Sequence, residues 1–351
     1  MLPKFEFFLL LIYMKRFNFY KPELRYGQIA AFSAVLMAFV SCSGFFASDS
    51  KEEAKESIKV MNWNLQTFFD ANFDGNEYAE YKSPKSGWSQ QRYEARLDKL
   101  SSVIKETDAD VIIMEELEKE EQIQDIANRL SGTFDFKKLY TQAVFATNEG
   151  ASIGCAVLSR LPIEEVTVHA LDIREGSRQP SMRPIIRLSV LAKDRELTIF
   201  VNHWKSKSGG AEESEIWRKR QEKLLADLMR PAKRDGAVLA VGDFNKEISE
   251  FDINLSAAEG KNVILHGTEE VEVYSPWINE SGDIQKTGSY WYKNHWERID
   301  HFFACGNIEL TEFCAENEGE WADSEGHPLR YQIWSGRGYS DHLPITCRVR
   351  F

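Results

Sequence analysis

The chain is poor in several things that would settle its class at once. It has five cysteines in 351 residues and no Cys-x-x-Cys pair, which argues against a structural zinc site. Its apolar runs near the N-terminus, around residues 5–13 and 29–40, fall short of the roughly 20 residues that span a bilayer. Pro (10) and Gly (21) are too few for a collagen-like or low-complexity chain. Positive charge is in deficit: 43 Lys and Arg stand against 55 Asp and Glu, a net charge of -12. Residues 1–42 hold basic groups in excess (Lys4, Lys15, Arg16, Lys21 and Arg25 against Glu6 and Glu23), so the remainder is more acidic still. That balance argues against broad affinity for DNA or anionic membranes, although one local basic rim can still hold a phosphate chain. With 43% hydrophobic and 28% charged residues, the composition is that of a packed soluble fold.

The first 50 residues differ from the rest. Met14-Lys15-Arg16 offers a second start followed by a basic stretch, the apolar run 29–40, a small residue and Cys42. This is the pattern of a secretory signal over residues 1–42. Phe39-Val40-Ser41-Cys42 resembles a bacterial lipobox, with Phe39 where Leu is usual. The expectation is export, with Cys42 lipidated and the protein anchored to a membrane. Cleavage without lipid and an uncleaved anchor are the alternatives. Residues 43–57, rich in Ser, Lys and Glu, read as a polar tether. Cys155 and Cys347 sit in apolar runs and read as core residues, whereas Cys305 and Cys314 could close a local disulfide in an oxidising compartment.

Residues 58–351 read as one α/β domain. Alternation predicts a strand at 58–64, and short apolar runs predict strands at 111–114, 154–159, 185–191, 197–203, 237–241, 298–304 and 345–349. Helical spacing appears at 88–107, 122–130 and 215–229. Many strands and few helices suggest two packed sheets with helices outside. Polar residues cluster where the strands end: Asn64, Glu115 and Glu116, His203, Asp243 and Asn245, Asp300, and Asp341 with His342. Taken singly, each has an ordinary structural explanation, such as a turn cap or a solvated strand end. Together, at the rim of a sheet, they read as a site.

These strings resemble the endonuclease/exonuclease/phosphatase superfamily, the DNase I-like fold. The resemblance rests on Asn62-Trp63-Asn64, on Asp110 through Glu116, on Gly242-Asp243-Phe244-Asn245, on Arg298-Ile299-Asp300 and on Ser340-Asp341-His342, in the family's order. It implies a four-layer α/β sandwich with two central β-sheets and a divalent cation, Mg2+ (or Mn2+ or Ca2+). By the same resemblance Glu116, Asn64 and Asp341 would hold or adjoin the metal, and Asn64, Asn245 and Arg183 would contact phosphate. Asp243 and Asn245 would orient the attacking water. Asp300 and His342 would form a carboxylate–imidazole pair, serving as acid/base or as a phosphate clamp, and His203 would be the second catalytic histidine. A surface position is the ordinary alternative for Glu115, which is not assigned as a ligand, and for Arg183. Gln66 is a departure, because many abasic-site nucleases carry an acid there.

The resemblance leaves the substrate open. Lys205, Lys207 and Arg218-Lys219-Arg220 could line an anionic groove or be solvated. Tyr290, Trp291, Tyr292 and Trp296 could stack on bases or a lipid headgroup, or pack internally. Nucleic acid is the favoured substrate. Phospholipids or small phosphate esters are the alternative, and a surface lipoprotein that binds without catalysis is a third reading. No protein partner is implied.

Overall fold

A computed structural model describes residues 10–16, 57–135, 138–148, 150–171, 182–255 and 262–351. Cys42, the apolar run 29–40 and nearly all of the predicted tether lie outside the described residues. Along the chain come β1 (Leu10–Arg16), β2 (Ser57–Phe68), α1 (Ala79–Lys82), α2 (Gln90–Thr107), β3 (Val111–Leu117) and α3 (Glu121–Ser131). Then follow β4 (Gln142–Asn148), β5 (Gly154–Ser159), β6 (Ile163–His169), β7 (Ile185–Ala192), β8 (Arg195–His203), α4 (Ala211–Asp235) and β9 (Ala237–Asp243). Three short strands, β10 (Asp252–Asn254), β11 (Asn262–Leu265) and β12 (Val271–Tyr274), precede a hairpin of β13 (Tyr290–Tyr292) and β14 (His295–Glu297). The chain ends in β15 (Asp300–Gly306), β16 (Glu309–Ala315) and β17 (Ile345–Arg350).

Among the described residues the strands form a seven-stranded sheet, ordered β1-β4-β5-β3-β2-β17-β16, and an eight-stranded sheet, ordered β10-β11-β12-β15-β9-β8-β7-β6. The sheets face each other where β2 and β3 meet β9 and where β5 meets β8. Helix α4 covers β9, β11, β12 and β15 from outside, and α3 packs on β5 and α2. Four layers result, as expected from the sequence. A strand with helices over one face and a second sheet over the other has no wet side, so β3 and β9 carry unbroken apolar runs rather than alternation. Helix α2 starts at Ser89, whose Oγ accepts the Arg92 N–H, and stops at Asp108, which takes the left-handed conformation.

Three expectations need correction. Cys305 lies on β15 and Cys314 on β16, in different sheets, and both thiols are free, so the local disulfide does not form. Helix α4 is longer than the predicted 215–229 because its first and last turns are charged and carry no apolar period. Strands β1, β4, β6, β10–β14 and β16 were not expected, β1 lying within the stretch read as a secretory signal. Most are short or lie at sheet edges, where one or both faces are polar and the alternation fades. Among the described residues no helix is long and apolar enough to cross a membrane.

Trp63, Trp204 and Trp277 are fully buried. Rings of this size each remove roughly 150–250 Å² from water, a gross gain of about 4–6 kcal/mol. A buried indole N–H must find an acceptor, and each of these finds one in a segment that matters below. Trp63 donates to the His342 carbonyl (2.9 Å), Trp277 to the Asp300 carbonyl (2.8 Å) and Trp204 to Asn202 Oδ1 (3.0 Å).

Candidate active site

Register places the first group of side chains. In the eight-stranded sheet His203 on β8 pairs with Asp243 on β9, and Asp243 pairs with Asp300 on β15. Residues opposite one another across neighbouring strands project from the same face, so these three side chains stand in a row at the strand ends. Gly242, just before Asp243, has φ 143°, and a Cβ there would lie 1.9 Å from the Asn202 carbonyl oxygen. Only glycine permits so close a strand approach, which explains the first letter of the Gly-Asp-Phe-Asn string. Asn245 takes a left-handed conformation that Asn tolerates (φ 48°). Its N–H donates to Asp243 Oδ1 (2.8 Å) and its Nδ2 to the Trp204 carbonyl (3.2 Å).

A bulge places the second group. The parallel pairing of β2 and β3 is regular to Asn64 opposite Glu115 and then breaks until Phe68 opposite Leu117. Inside the break Gln66, Thr67 and Glu116 all have positive φ (55°, 51° and 68°). Regular pleating would send consecutive residues to opposite faces. The bulge instead turns Glu116 to the rim, where its Oε2 accepts the Thr67 N–H (2.6 Å). Asn64 Nδ2 bridges the two sheets, donating to Glu116 Oε1 (3.3 Å) and Asp243 Oδ2 (3.0 Å), while its Oδ1 accepts the Gln66 N–H (2.9 Å). Arg96, 1% exposed, braces the distorted segment from beneath by donating to the carbonyls of Leu65, Gln66 and Thr67.

The last segment closes the site. Ser340 Oγ donates to the Asn64 carbonyl (2.6 Å) and accepts the His342 N–H (3.1 Å). His342 Nδ1 lies 2.8 Å from Asp300 Oδ2, which leaves Nε2 free of Asp300. Asp341 and His342 line the same cleft as Asn64, Glu116, His203, Asp243 and Asn245, a volume of about 1100 Å³. Seven of the sequence-predicted residues thus meet in one cleft, with Asp300 buried directly behind His342. Arg183 does not line the cleft. It stands near enough that its charge adds to burial in lowering the proton affinity of His203. Glu115, for which a surface position was the ordinary alternative, is fully buried.

Burial dominates the electrostatics. It pushes Asp243 up to about 7, with the neighbouring Asp300 charge adding to the effect. It also holds His203 well below the usual histidine range, helped by Arg183, so His203 is neutral at pH 7. Burial opposes charge on His342 too, but the Asp300 carboxylate bonded to it prevails and raises its proton affinity well above the ordinary value. His342 is therefore a cation at neutral pH. Glu115, with Asp300 and Asp243 nearby, is driven far up and is neutral.

The donor set fits a hard divalent cation. Glu116 Oε1 and Asp243 Oδ2 both face His203 Nε2, at 3.8 and 3.7 Å, too far for hydrogen bonds. The two carboxylates share little more than the Asn64 amide and a neutral imidazole. An ion that prefers oxygen ligands complements them, and Asp341 lines the same cleft.

The sequence pattern of the Endonuclease/Exonuclease/phosphatase family matches residues 59–350. The chain belongs to this family. Members of the endonuclease/exonuclease/phosphatase family are metal-dependent phosphoester hydrolases, and the chain is accordingly a hydrolase of phosphate esters. No curated protein matches it in sequence. Solved structures share the fold at low identity. TDP2 from D. rerio, complexed with a single-stranded DNA product, is 16% identical with a TM-score of 0.54, covering 84% of this chain and 99% of that one. An endonuclease/exonuclease/phosphatase family protein from Bacteroides thetaiotaomicron is 16% identical (TM-score 0.52; 85% and 98% covered). The human nocturnin catalytic domain with bound sulfate is also 16% identical (TM-score 0.52; 84% and 97% covered).

Several cleft residues have no clear signal in the sequence. Gln66, a mere departure from a family string, grips Tyr331 by both backbone groups: Nε2 donates to its carbonyl (3.0 Å) and Oε1 accepts its N–H (2.8 Å). Arg330 and Trp334 enter the cleft from a turn-rich segment without periodicity. The aromatic run divides by strand alternation. Tyr290 and Tyr292 line the cleft, whereas Trp291 and Trp296 pack on each other and on His327. Arg218 does not line the cleft. It is buried, paired to Glu215 and bonded to the Lys205 carbonyl.

Proposed function

We propose that the protein is an exported, divalent-metal-dependent phosphodiesterase that hydrolyses nucleic-acid strands. The observation that carries this reading is the contrast between the cleft's floor and its wall. The floor holds the acidic row around Asp243, while the wall presents Tyr290, Tyr292 and Trp334, the last two 45% and 68% exposed. Exposed rings beside a phosphodiester site suit bases splayed from a single strand, and stacking on them is tolerant of sequence. Lys85 and Lys207 on the same cleft suit the backbone phosphates. The DNA product held by D. rerio TDP2 agrees with this reading.

Glu116 and Asp341, beside Asn64, would hold Mg2+ or Mn2+, which would neutralise charge on the phosphoryl oxygens. Asp243, near 7 and anchored by Asn245 and Asn64, is suited to accept a proton from the attacking water. His342, held cationic by Asp300, offers Nε2–H to a phosphoryl or leaving oxygen. His203 is neutral and serves as a hydrogen-bonding group against the phosphate.

The test is turnover by the full-length chain on single-stranded DNA, duplex DNA, RNA, sphingomyelin and bis(4-nitrophenyl) phosphate, with and without EDTA. Nucleic-acid cleavage that EDTA abolishes and Mg2+ or Mn2+ restores supports the proposal. Turnover confined to sphingomyelin moves the assignment to phospholipid, and no turnover at all removes the catalytic role. For export and anchoring, labelled palmitate should enter the chain in a bacterial host and fail to enter Cys42→Ala.

A further inference from the structure

A second group of carboxylates lies beyond the bulge, outside the cleft. Asp70, Asn72, Asp74 and Gly75 stand at positions 1, 3, 5 and 6 of the Asp-x-Asn-x-Asp-Gly pattern of calcium loops. Gly75 has φ 109°, the kind of backbone such loops require at their sixth position. The acid that the pattern puts twelfth is missing, since Tyr81 occupies that place. Glu118, just after β3, supplies an acid in space. Its carboxylate, with those of Asp74 and Glu77, offers ligand atoms all within 4.8 Å of one another.

The Glu118 side chain is only 4% exposed. Its Oε2 accepts the Asp70 N–H (2.7 Å), but Oε1 is buried and accepts no hydrogen bond. The nearest cation, Lys119 Nζ, is 3.6 Å from Oε1, beyond bonding range, and is committed to Asp70 Oδ2 (2.9 Å) and Asp74 Oδ2 (3.0 Å). Four carboxylates therefore face two ammonium groups, those of Lys119 and Lys82, and one buried oxygen is left over. Lys119 is 27% exposed and can swing outward.

We infer that Asp74, Glu77 and Glu118, with Asp70 beside them, form a structural calcium site, distinct from the catalytic cleft, which Ca2+ enters as the Lys119 ammonium leaves. Oxygen ligands, an irregular loop and an oxygen without a donor suit Ca2+ better than Mg2+, which demands octahedral order. Asp70 closely follows the bulge that carries Thr67, and Glu118 follows Glu116, so an ion there would cross-link the two strand ends that present Asn64 and Glu116.

The experiment uses the full-length chain carrying Glu116→Gln and Asp341→Asn, the two acids proposed to hold the cation in the cleft. Trp88, whose Nε1 donates to the Asp70 carbonyl (2.6 Å), sensitises Tb3+ placed at the site. The expected result is saturable Tb3+ luminescence, displaced at least tenfold more readily by Ca2+ than by Mg2+, with a higher Tm in Ca2+. Asp74→Asn and Glu118→Gln should each weaken it tenfold or more, and Lys119→Ala should strengthen it. Asp74 is exposed, so its variant folds and decides the matter even if Glu118→Gln does not. Absence of saturable luminescence, or a signal that Asp74→Asn leaves unchanged, overturns the site. So does a Lys119→Ala variant that loses stability without gaining Ca2+ affinity, for the cluster is then an ion-pair network completed by lysine.

Discussion

Asp300 and His342, 42 residues apart in sequence, meet through a 2.8 Å contact between Oδ2 and Nδ1 in the interior of the protein. Burial alone would leave this imidazole neutral; the carboxylate makes it a cation. Asp300→Asn should therefore lower kcat by roughly 10²–10⁴, the usual range for an acid–base group, with a smaller change in KM. The sign of the pH effect follows. With less support for the charged form, the alkaline limb of the kcat profile should move to lower pH. An unmoved limb would show that His342 does not act as a cation.

Asp243 is held at about 7, against an ordinary value of 3.8, first by burial and then by Asp300. Because its folded value is raised, the stability linked to its proton is fully present below about 3.8 and is lost as pH rises through about 7. Asp243→Asn does not titrate. In EDTA the variant should gain stability relative to the parent as pH rises, by on the order of 2–4 kcal/mol between pH 4 and pH 8, with the advantage gone only below about pH 4. It should also be nearly inactive. Thermal melts at both pH values and one turnover assay check the pair of statements.

The Gln66 clamp on Tyr331 sets one wall of the cleft against its floor. Gln66→Ala removes both bonds at an expected cost of about 1–3 kcal/mol. On single-stranded DNA, kcat/KM should fall by about tenfold, while bis(4-nitrophenyl) phosphate, too small to reach the wall, should be cleaved as before. Equal losses on both substrates would place Gln66 in the floor instead.

Tyr292→Ala and Trp334→Ala address substrate binding. Stacking is worth roughly 1–3 kcal/mol per base, so each change should raise KM for single-stranded DNA about 5- to 150-fold and leave its kcat close to the parent's. Unchanged KM values in both variants would remove the stacking role.

Arg96 is expected to matter for folding alone. Its guanidinium satisfies three backbone carbonyls in the bulge and the Tyr81 hydroxyl, and it stacks 3.9 Å from the Tyr331 ring. Arg96→Met strands these acceptors and should cost about 3–5 kcal/mol. Urea unfolding measures the loss.

The amino-acid sequence by itself determined the two-sheet architecture and most of the catalytic cast. Unbroken apolar runs such as Val111-Ile112-Ile113-Met114 are consistent with strands covered on both faces, polar residues at their ends mark a rim, and the family resemblance assigned those residues their roles. Tertiary structure alone decided the rest. Local pattern could not distinguish Glu115 from Glu116, because a three-residue bulge on the neighbouring strand buries one fully and leaves the other half-buried at the rim. Nor could it separate Tyr290 and Tyr292 from Trp291 and Trp296, whose roles depend on which face of a short hairpin meets the cleft. The Gln66–Tyr331 clamp and the Arg96 brace join residues across long sequence separations, and a hydrogen bond of that kind leaves no periodic trace in the chain. Periodicity records only whether a residue faces water or core. The chemistry here depends on which buried polar groups face one another, and that is settled only when the sheets pack.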